Sequence, residues 1–407
     1  MKLELHWKIF IGLIVGFLFG FFLPEHVSYI AWMGDLFLKA LKMIIVPLLL
    51  TSIISGIMNI GNPEGLGRMG IRTITYYIST SLLAIVTGLF LVNMIRPGVG
   101  ADLKFSQTVE GLAVATESFG STLINIIPEN IVRAMVNGEM ISIIFISILS
   151  GLFATKLDEK YKNVIQNGIQ AGFELTMKVT QWVIGFTHWG VMAIIAVVVS
   201  KTVQEGSITD LFQRLGLYMI TVIAALAIHA FITLPLLLKF IARVRPIRHF
   251  HAMSTPLLTA FSTASSSATL PLSMEAMEHN AGVSNKVTSF VLPMGSTINM
   301  DGTALYECVA AMFIAQAYGI ELTIAQQVIV VFTSLLASIG AAGIPMAGLV
   351  MMSVVLTAVG LPLEGVGLIL AVDRILDMFR TSVNVWSDCC GAVVIARSEK
   401  EKLPKLE

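Results

Sequence analysis

The sequence predicts an all-α membrane protein with eight transmembrane helices and two re-entrant helical hairpins. The 407 residues are 56% hydrophobic and only 13% charged, whereas about 25% of the residues in a soluble domain are charged. Long apolar runs recur along the chain, and polar or glycine-rich segments interrupt those of its C-terminal half. Basic and acidic residues are equal in number, 26 each, so the composition gives no sign of a nucleic-acid partner. An ordinary soluble enzyme is excluded.

The N-terminal half contains apolar runs long enough to cross a membrane. The first ends before Pro24 without a small-residue cleavage pattern, so we interpret it as a retained span rather than a signal peptide. The fifth is expected to break near Gly185 to Gly190. The runs cover 7–23, 36–58, 71–95, 136–154, 165–199 and 215–240.

The apolar runs of the C-terminal half are interrupted by serines, glycines or charged residues, which makes them poor lipid-facing helices. The N-terminal half is therefore expected to be a lipid-exposed scaffold, and the C-terminal half to have a polar core. The interruptions lie at 262–269, 299–303 and 338–345, and the last run, 361–397, contains several charged residues.

Lysines and arginines cluster in alternate loops, which the positive-inside rule assigns to the cytoplasm together with both termini. Eight crossings agree with this assignment only if the segments around 262–269 and 338–345 each enter and leave on one side, as re-entrant hairpins. Backbone that bends inside the bilayer must be buried in protein or line a wet cavity. Two hairpins flanking a helix with a broken centre are typical of a transporter with its site near the midplane.

Five polar residues of the last run share one helical face, which we name the charged stripe: Asp373, Asp377, Arg380, Asn384 and Asp388. At about 100° per residue they fall within an arc of about 80°. Each ionised residue at mid-bilayer costs at least about 2.5 kcal/mol, and the stripe has an excess of acids. One interpretation is an ion-pair clamp between helices. The other is a site that completes its charge with incoming cations and a charged solute.

The residue types of the stripe indicate which solute would fit. Arg380 offers a planar fork of donors that matches a carboxylate. Asp377, one turn earlier, can hold an ammonium group, and Asn384 can donate to a second carboxylate. The set fits a small molecule with two carboxylates and one amine, such as aspartate or glutamate. The remaining acids suit a hard cation with oxygen ligands.

Four linked motifs resemble the glutamate transporter family, the dicarboxylate/amino acid:cation symporters, and the resemblance covers essentially the whole chain. It implies a homotrimer in which each transport domain moves across the membrane like an elevator past a fixed scaffold. The motifs are Ser265-Ser266-Ser267, Asn299-Met300-Asp301-Gly302-Thr303, Ser338-Ile339-Gly340-Ala341-Ala342-Gly343-Ile344-Pro345 and the series Asp377, Arg380-Thr381, Asn384 and Asp388. The implied division is scaffold at 1–70 and 96–205, transport domain at 71–95 and 206–397, and a cytoplasmic tail at 398–407.

The resemblance also implies residue roles in substrate binding. Arg380 would bind the side-chain carboxylate of an acidic amino acid, and Asp377 its amino group. The main-chain carboxylate would be held by Asn384, Thr381 and Ser266, and the site closed by Thr303 and the backbone near Gly343 and Gly348.

Sodium ions are the implied co-substrates, at three sites. The first would use Asp388 and the carbonyls of Gly295, Asn299 and Asn384. The second would lie among carbonyls around Thr297, Ser338, Ile339 and Ala341. The third would use Asn299, Asp301, Thr80, Ser81 and the carbonyl of Tyr77. Without the resemblance, Thr80 and Ser81 are ordinary helix hydroxyls that bond the preceding turn.

Details of the motifs point to the sodium-coupled acidic amino-acid branch. Neutral amino-acid branches lack the arginine at Arg380, amine-free dicarboxylate branches lack the aspartate at Asp377, and proton-coupled bacterial relatives tend to lose the carboxylate at Asp388. Glu307 follows Tyr306 where animal members have a glutamate proposed to carry a proton. Burial in an apolar helix disfavours the ionised form of this acid; a structural role as a buried neutral acid is the alternative.

The chain also departs from the family pattern. Archaeal members have an arginine where this chain has Ala264, and animal members have one where it has Met378. Arg374 lies about 100° from Asp373, away from the centre of the stripe, so the second arginine that balances the acids is expected to be missing. This departure leaves potassium countertransport and the coupling ratio open. The histidines form no metal-binding pattern, and we assign them no role.

The predicted protein is a multi-pass transporter of the cell membrane, in contact with lipid, and not an enzyme. The main interpretation is import of L-glutamate or L-aspartate coupled to sodium, with a proton as a candidate further ion. A proton-coupled glutamate or C4-dicarboxylate carrier of the same fold is the alternative. An intramembrane aspartyl protease that uses Asp301 and Asp377, or a channel, fits the arginine and the paired hairpins poorly.

Overall fold

The computed structural model describes residues 5–59, 63–100, 127–204, 208–340 and 347–406, and all regular structure in these ranges is helical. The α-helices, numbered in chain order, are α1 (Leu5–Phe22), α2 (Ser28–Asn59), α3 (Pro63–Ile95), α4 (Ile131–Asn137), α5 (Met140–Ala154), α6 (Glu159–Gly185), α7 (Thr187–Gln204), α8 (Ile208–Ile228), α9 (Leu234–Leu237), α10 (Pro246–Ala252), α11 (Ser254–Thr263), α12 (Ser266–Ala276), α13 (Asn285–Ile298), α14 (Asp301–Ala317), α15 (Ile324–Gly340), α16 (Ala347–Ala358) and α17 (Val366–Ser398). Helix α8 continues through α9 with π-helical turns at His229–Thr233 and Leu238–Ala242.

Three helices of the described chain are long and apolar enough to cross a membrane: Ser28–Met58, Arg68–Ile95 and Phe212–Ala242. Helices α6 and α7 add a fourth span if the pair, bent by 50° at Phe186, crosses as one. This bend confirms the break predicted near Gly185 to Gly190. The total of eight crossings stays a prediction, because the other helices are shorter or carry charges.

Helices α1 and α7 pack closely because three glycines follow one another at a spacing of four residues. A Cβ atom at Gly12, Gly16 or Gly20 would overlap backbone carbonyl oxygens of α7. Small residues at this spacing let helix backbones approach in a membrane. Helix α2 packs against α5, α6 and α7, so α1, α2, α5, α6 and α7 form one packed group.

Each segment that polar residues interrupt contains two helices. Helices α11 and α12 are joined at Ala264, which has a φ of 50°, and the side chain of Ser265 caps α12 by accepting from the Ala268 N–H at 3.2 Å. Helices α15 and α16 pack against each other, and α13 and α14 are separated at Asn299 and Met300. That the pairs α11–α12 and α15–α16 are re-entrant hairpins in a bilayer stays a prediction.

Helix α17 lies among the other helices of the C-terminal half, in contact with α8 and with α11 to α14. Each residue of the charged stripe is at most 4% exposed. The stripe therefore faces protein rather than lipid, as the predicted polar core requires.

The residues after α17 fold back onto the protein. Leu403 and Leu406 are buried, and the backbone N–H of Arg245 donates to the Leu406 carbonyl at 2.9 Å. Glu401 accepts hydrogen bonds from the backbone N–H and hydroxyl of Ser284 at 3.0 and 2.5 Å. The segment predicted as a tail thus contacts the residue before α10 and the residue before α13.

Candidate functional site

Arg380 is the centre of the first polar cluster. Its Nε and Nη2 atoms each lie 2.9 Å from Oδ1 of Asp377, and its Nη1 donates to Oδ1 of Asp373 at 3.3 Å. The helical spacing of three and seven residues places both acids beside the guanidinium. The guanidinium carbon lies 4.4 Å from the ring centroid of Tyr306, whose hydroxyl donates to Asp373 at 2.6 Å. A Cβ at Gly348 would lie 2.7 Å from Nη1, so α16 packs directly against the Arg380 guanidinium.

The two oxygens of Asp377 differ in their surroundings. Oδ1 receives the Arg380 contacts and a long hydrogen bond from the Thr381 hydroxyl at 3.5 Å. Oδ2 is buried and has no hydrogen-bond partner among the described residues. Nη1 of Arg374 lies 3.6 Å from it. The expectation that no second arginine balances the acids is therefore wrong: the long Arg374 side chain reaches an acid three residues later, although its Cα–Cβ bond points away from the stripe.

Asn384 joins the stripe to the beginning of α14. Its Oδ1 accepts from the backbone N–H groups of Gly302 and Thr303 at 2.7 and 3.4 Å, and its Nδ2 donates to the Thr303 hydroxyl at 3.1 Å. These N–H groups belong to the first turn of a helix, where the backbone favours negative charge. Ser266 begins α12 and is buried, while Gly343 lies outside the described residues.

Asp301 is the centre of the second polar cluster and is fully buried. Its Oδ1 accepts from the Ser81 hydroxyl at 2.6 Å and the Thr80 hydroxyl at 3.3 Å. Its Oδ2 accepts from the Ser387 hydroxyl at 2.6 Å and lies 3.0 Å from Nε2 of His229. Helices α3, α14 and α17 and the π turn after α8 thus meet at one carboxylate.

Asn299 extends this cluster to Asp388. Its Oδ1 lies 3.4 Å from the Thr80 hydroxyl oxygen, and its Nδ2 donates to Asp388 at 2.9 Å. The Thr80 hydroxyl is also 3.2 Å from the Tyr77 carbonyl, and the Gly295 backbone lies against the Asp388 carboxylate. The structure brings together the oxygens predicted for the third sodium site. Carboxylate, hydroxyl, amide and carbonyl oxygens are ligands that hard cations prefer.

The residues predicted for the second sodium site do not form such a cluster through their hydroxyls. Thr297 donates to the Met294 carbonyl at 3.0 Å, and Ser338 donates to the Leu335 carbonyl at 2.8 Å, each within its own helix. Helices α13 and α15, which carry them, pack against each other. Ile339 is in the last turn of α15, and Ala341 lies outside the described residues.

Glu307 lies on α14, one residue after Tyr306. It is fully buried, and neither carboxyl oxygen has a hydrogen-bond partner in the described part of the chain. The predicted burial is confirmed. An ionised carboxylate that is buried without a partner is destabilising. The surroundings of Glu307 therefore favour its neutral form.

His229 was not predicted from the sequence as a partner of Asp301, and Asp373 was predicted only as a member of the charged stripe. A signal for His229 was available, because an ionisable residue within an apolar span is a functional candidate in itself. The residue also opens a π-helical turn, a feature frequent at functional sites. The contact between Tyr306 and Asp373 had no such signal, since it depends on the packing of two helices.

The sequence of the chain is similar to those of known transporters. Residues 5–398 match the family described as the sodium:dicarboxylate symporter family. The chain is 36% identical to the proton/sodium-glutamate symport protein of Geobacillus stearothermophilus, over 98% of this chain and 95% of that protein. It is 36% identical to the proton/glutamate-aspartate symporter of Escherichia coli (strain K12), over 98% and 94%.

An animal protein is similar to the same extent. The chain is 37% identical to an excitatory amino acid transporter of Caenorhabditis elegans, over 96% of this chain and 87% of that protein. The family match and these full-length similarities identify a membrane transporter rather than an enzyme, and the chain belongs to the sodium:dicarboxylate symporter family.

Proposed function

We propose that the protein is a secondary active symporter that imports L-glutamate or L-aspartate together with sodium ions. The observation that carries this proposal is the pairing of two buried clusters on α17. One presents a guanidinium beside an acid with an unpartnered oxygen, and the other gathers oxygen ligands around Asp301. The glutamate symporters among its relatives, named as such in bacteria, support the same substrate class.

In this proposal the substrate replaces contacts between residues of the charged stripe. The Arg380 guanidinium moves from Asp377 to the side-chain carboxylate of the substrate, and Oδ2 of Asp377 accepts a hydrogen bond from the substrate's amino group. A bidentate pair of this kind gives both energy and geometric selectivity. The main-chain carboxylate is held by Asn384, Thr381 and Ser266, with Thr303 and the backbone near Gly343 and Gly348 closing the site.

Sodium ions compensate the acids that no cation of the protein neutralises. One ion binds among Tyr77, Thr80, Ser81, Asn299 and Asp301. Another binds at Asp388 with carbonyls of Gly295, Asn299 and Asn384, and a third among carbonyls around Thr297, Ser338, Ile339 and Ala341. Since a buried uncompensated carboxylate costs several kcal/mol, loading these sites favours the geometry that receives the substrate. Glu307 is the candidate for proton coupling.

The transport step is an elevator movement in a homotrimer of the cell membrane, with lipid around it and both termini in the cytoplasm. Segments 71–95 and 206–397 form the moving domain, and 1–70 and 96–205 form the scaffold. The close glycine packing of α1 on α7 and the collection of helices around α17 support this division.

Uptake into proteoliposomes tests the proposal. Radiolabelled L-aspartate or L-glutamate should enter only with an inward sodium gradient, and Asp301→Asn should abolish this uptake. Glu321→Gln, which changes an acid whose side chain is 89% exposed, is the matched control and should leave uptake unchanged. The E. coli relative is named a proton symporter, so the second candidate is a proton-coupled glutamate or C4-dicarboxylate carrier. Equal uptake with choline in place of sodium, driven by a pH gradient, would establish that candidate instead.

A further inference from the structure

The Asp377 carboxylate contacts two cations through different oxygens, and one of them, Arg374, is absent from the family pattern described above. Oδ1 is occupied by Arg380 and Thr381, whereas Oδ2 is buried and has no hydrogen-bond partner among the described residues. Nη1 of Arg374 lies 3.6 Å from Oδ2, close enough for an ion pair and too far for a hydrogen bond. The negative charge of Oδ2, the atom that a substrate amino group would bind, is thus compensated by Arg374 without a hydrogen bond.

The two arginines of this cluster differ in how readily they can leave it. The side chain of Arg380 is 2% exposed and is held by both acids and the Tyr306 ring. The side chain of Arg374 is 34% exposed and contacts one oxygen of one acid. Arg374 can therefore leave Asp377 more readily than Arg380 can, because a partly exposed ion pair contributes little. Without it, Asp373 and Asp377 would share a single guanidinium.

We propose that Arg374 is the counter-cation of the empty substrate site and that it yields Oδ2 of Asp377 to the amino group of the incoming substrate. The inference rests on the proposed function, in which Asp377 binds that amino group. Arg374 acts through Asp377 and is a specificity-determining residue. In the empty site Arg374 compensates the negative charge of Asp377, and in the loaded site the amino group of the substrate compensates it instead.

This arrangement has a consequence for selectivity. An amino acid must displace Arg374 from Asp377, whereas an amine-free dicarboxylate such as succinate leaves the pair intact. Arg374 therefore reduces the preference for aspartate over succinate. Removing the arginine eliminates the displacement step for aspartate and leaves Asp377 uncompensated when succinate binds. Both effects raise the preference for aspartate.

Competition binding measures this preference. Purified full-length protein in sodium is loaded with radiolabelled L-aspartate, and unlabelled L-aspartate or succinate displaces it. The wild type should show measurable inhibition by succinate. In Arg374→Ala the ratio of the succinate to the aspartate inhibition constant should increase by about 2- to 5-fold, the upper part of the range expected for one partly exposed ion pair.

Three further variants control the experiment. Arg374→Lys keeps the charge and should bring the ratio back toward the wild-type value, and Arg374→Gln should change it as alanine does. The glutamine variant also tests the proposal if the alanine variant is unstable. Arg96→Ala removes an arginine from an exposed ion pair with Glu321, 3.4 Å long, and should leave the ratio unchanged.

The outcomes separate this inference from the proposed function. If Arg374 has only a structural role, both affinities fall together and the ratio stays constant, which overturns the inference. Failure of succinate to compete in the wild type overturns it as well, since the compensated Asp377 should tolerate an amine-free ligand. If the wild type does not bind L-aspartate in sodium at all, the proposed function itself is wrong.

Discussion

Replacing Arg380 by cysteine should abolish acidic substrate binding and leave a site for small neutral amino acids. The side chain is 2% exposed and contacts Asp377 at 2.9 Å and Asp373 at 3.3 Å. Truncating one partner of a buried, hydrogen-bonded charge pair costs about 2–5 kcal/mol, which corresponds to a loss of about 30- to several-thousand-fold in affinity. The smaller side chain also leaves room beside Gly348, which otherwise lies against the guanidinium.

Binding of radiolabelled L-aspartate and L-serine to the purified variant in sodium measures this effect. Aspartate affinity should fall by the stated factor, and serine should bind. Arg96→Cys is the matched control, because it removes an arginine whose side chain is 56% exposed and should not affect either ligand. If Arg380→Cys binds aspartate as tightly as the wild type, Arg380 does not bind the substrate and the ion-pair clamp is the better interpretation.

A double variant separates binding from stability. In Arg380→Cys, Asp373 keeps the hydrogen bond from Tyr306, 2.6 Å long, but loses its guanidinium partner. A buried carboxylate without a compensating cation is destabilising. Adding Asp373→Asn should therefore raise the melting temperature above that of Arg380→Cys without restoring aspartate binding. A double variant no more stable than the single one would show that Asp373 is compensated in another way.

Three other substitutions have definite expected results. Glu307→Gln mimics the protonated acid, so sodium-dependent substrate exchange should persist while the pH dependence of net uptake disappears; superimposable profiles of both forms between about pH 6 and 8.5 would reject proton carriage. His229→Ala removes a donor from Asp301, a hydrogen bond of about 1.5–3 kcal/mol, and should lower the apparent sodium affinity, whereas an unchanged sodium titration would make the contact incidental. Ending the chain at Ser398 removes Leu403 and Leu406, two buried side chains worth about 1.5–3 kcal/mol each, and should lower the melting temperature; an unchanged value would mean that the folded-back segment does not stabilise the protein.

Helical periodicity was sufficient to predict the face of α17 that carries the site. The five residues of the charged stripe repeat near 3.6 residues, and all are buried, as a polar core within an apolar protein requires. The break between α6 and α7 was equally visible, because the glycines there are poor helix formers. Such predictions depend only on neighbours along the chain.

Contacts between helices could not be predicted from periodicity along the chain. Thr80 illustrates the limit: its hydroxyl is 3.1 Å from the Tyr76 carbonyl in its own helix, as an ordinary helix hydroxyl would be, and also 3.3 Å from Asp301. Periodicity predicts the first contact, and only the family resemblance suggested the second. Arg374 shows a different limit, since a helical projection gives the direction of a Cα–Cβ bond and not the reach of a long side chain.

In the proposed mechanism, the segment 299–303 would link cation binding to substrate binding. At one end Asn299 bonds Asp388 and contacts the Thr80 hydroxyl, and at the other end Thr303 bonds Asn384 of the substrate site. Asp301 lies between them and accepts hydrogen bonds from side chains of α3, of α17 and of the π turn His229–Thr233. An ion that binds Asp301 and Asn299 must fix the break between α13 and α14, and the same break sets where the first turn of α14 meets Asn384. In the proposed mechanism, cations and substrate would therefore act on one short piece of backbone, and their coupling would require no longer-range movement within the site.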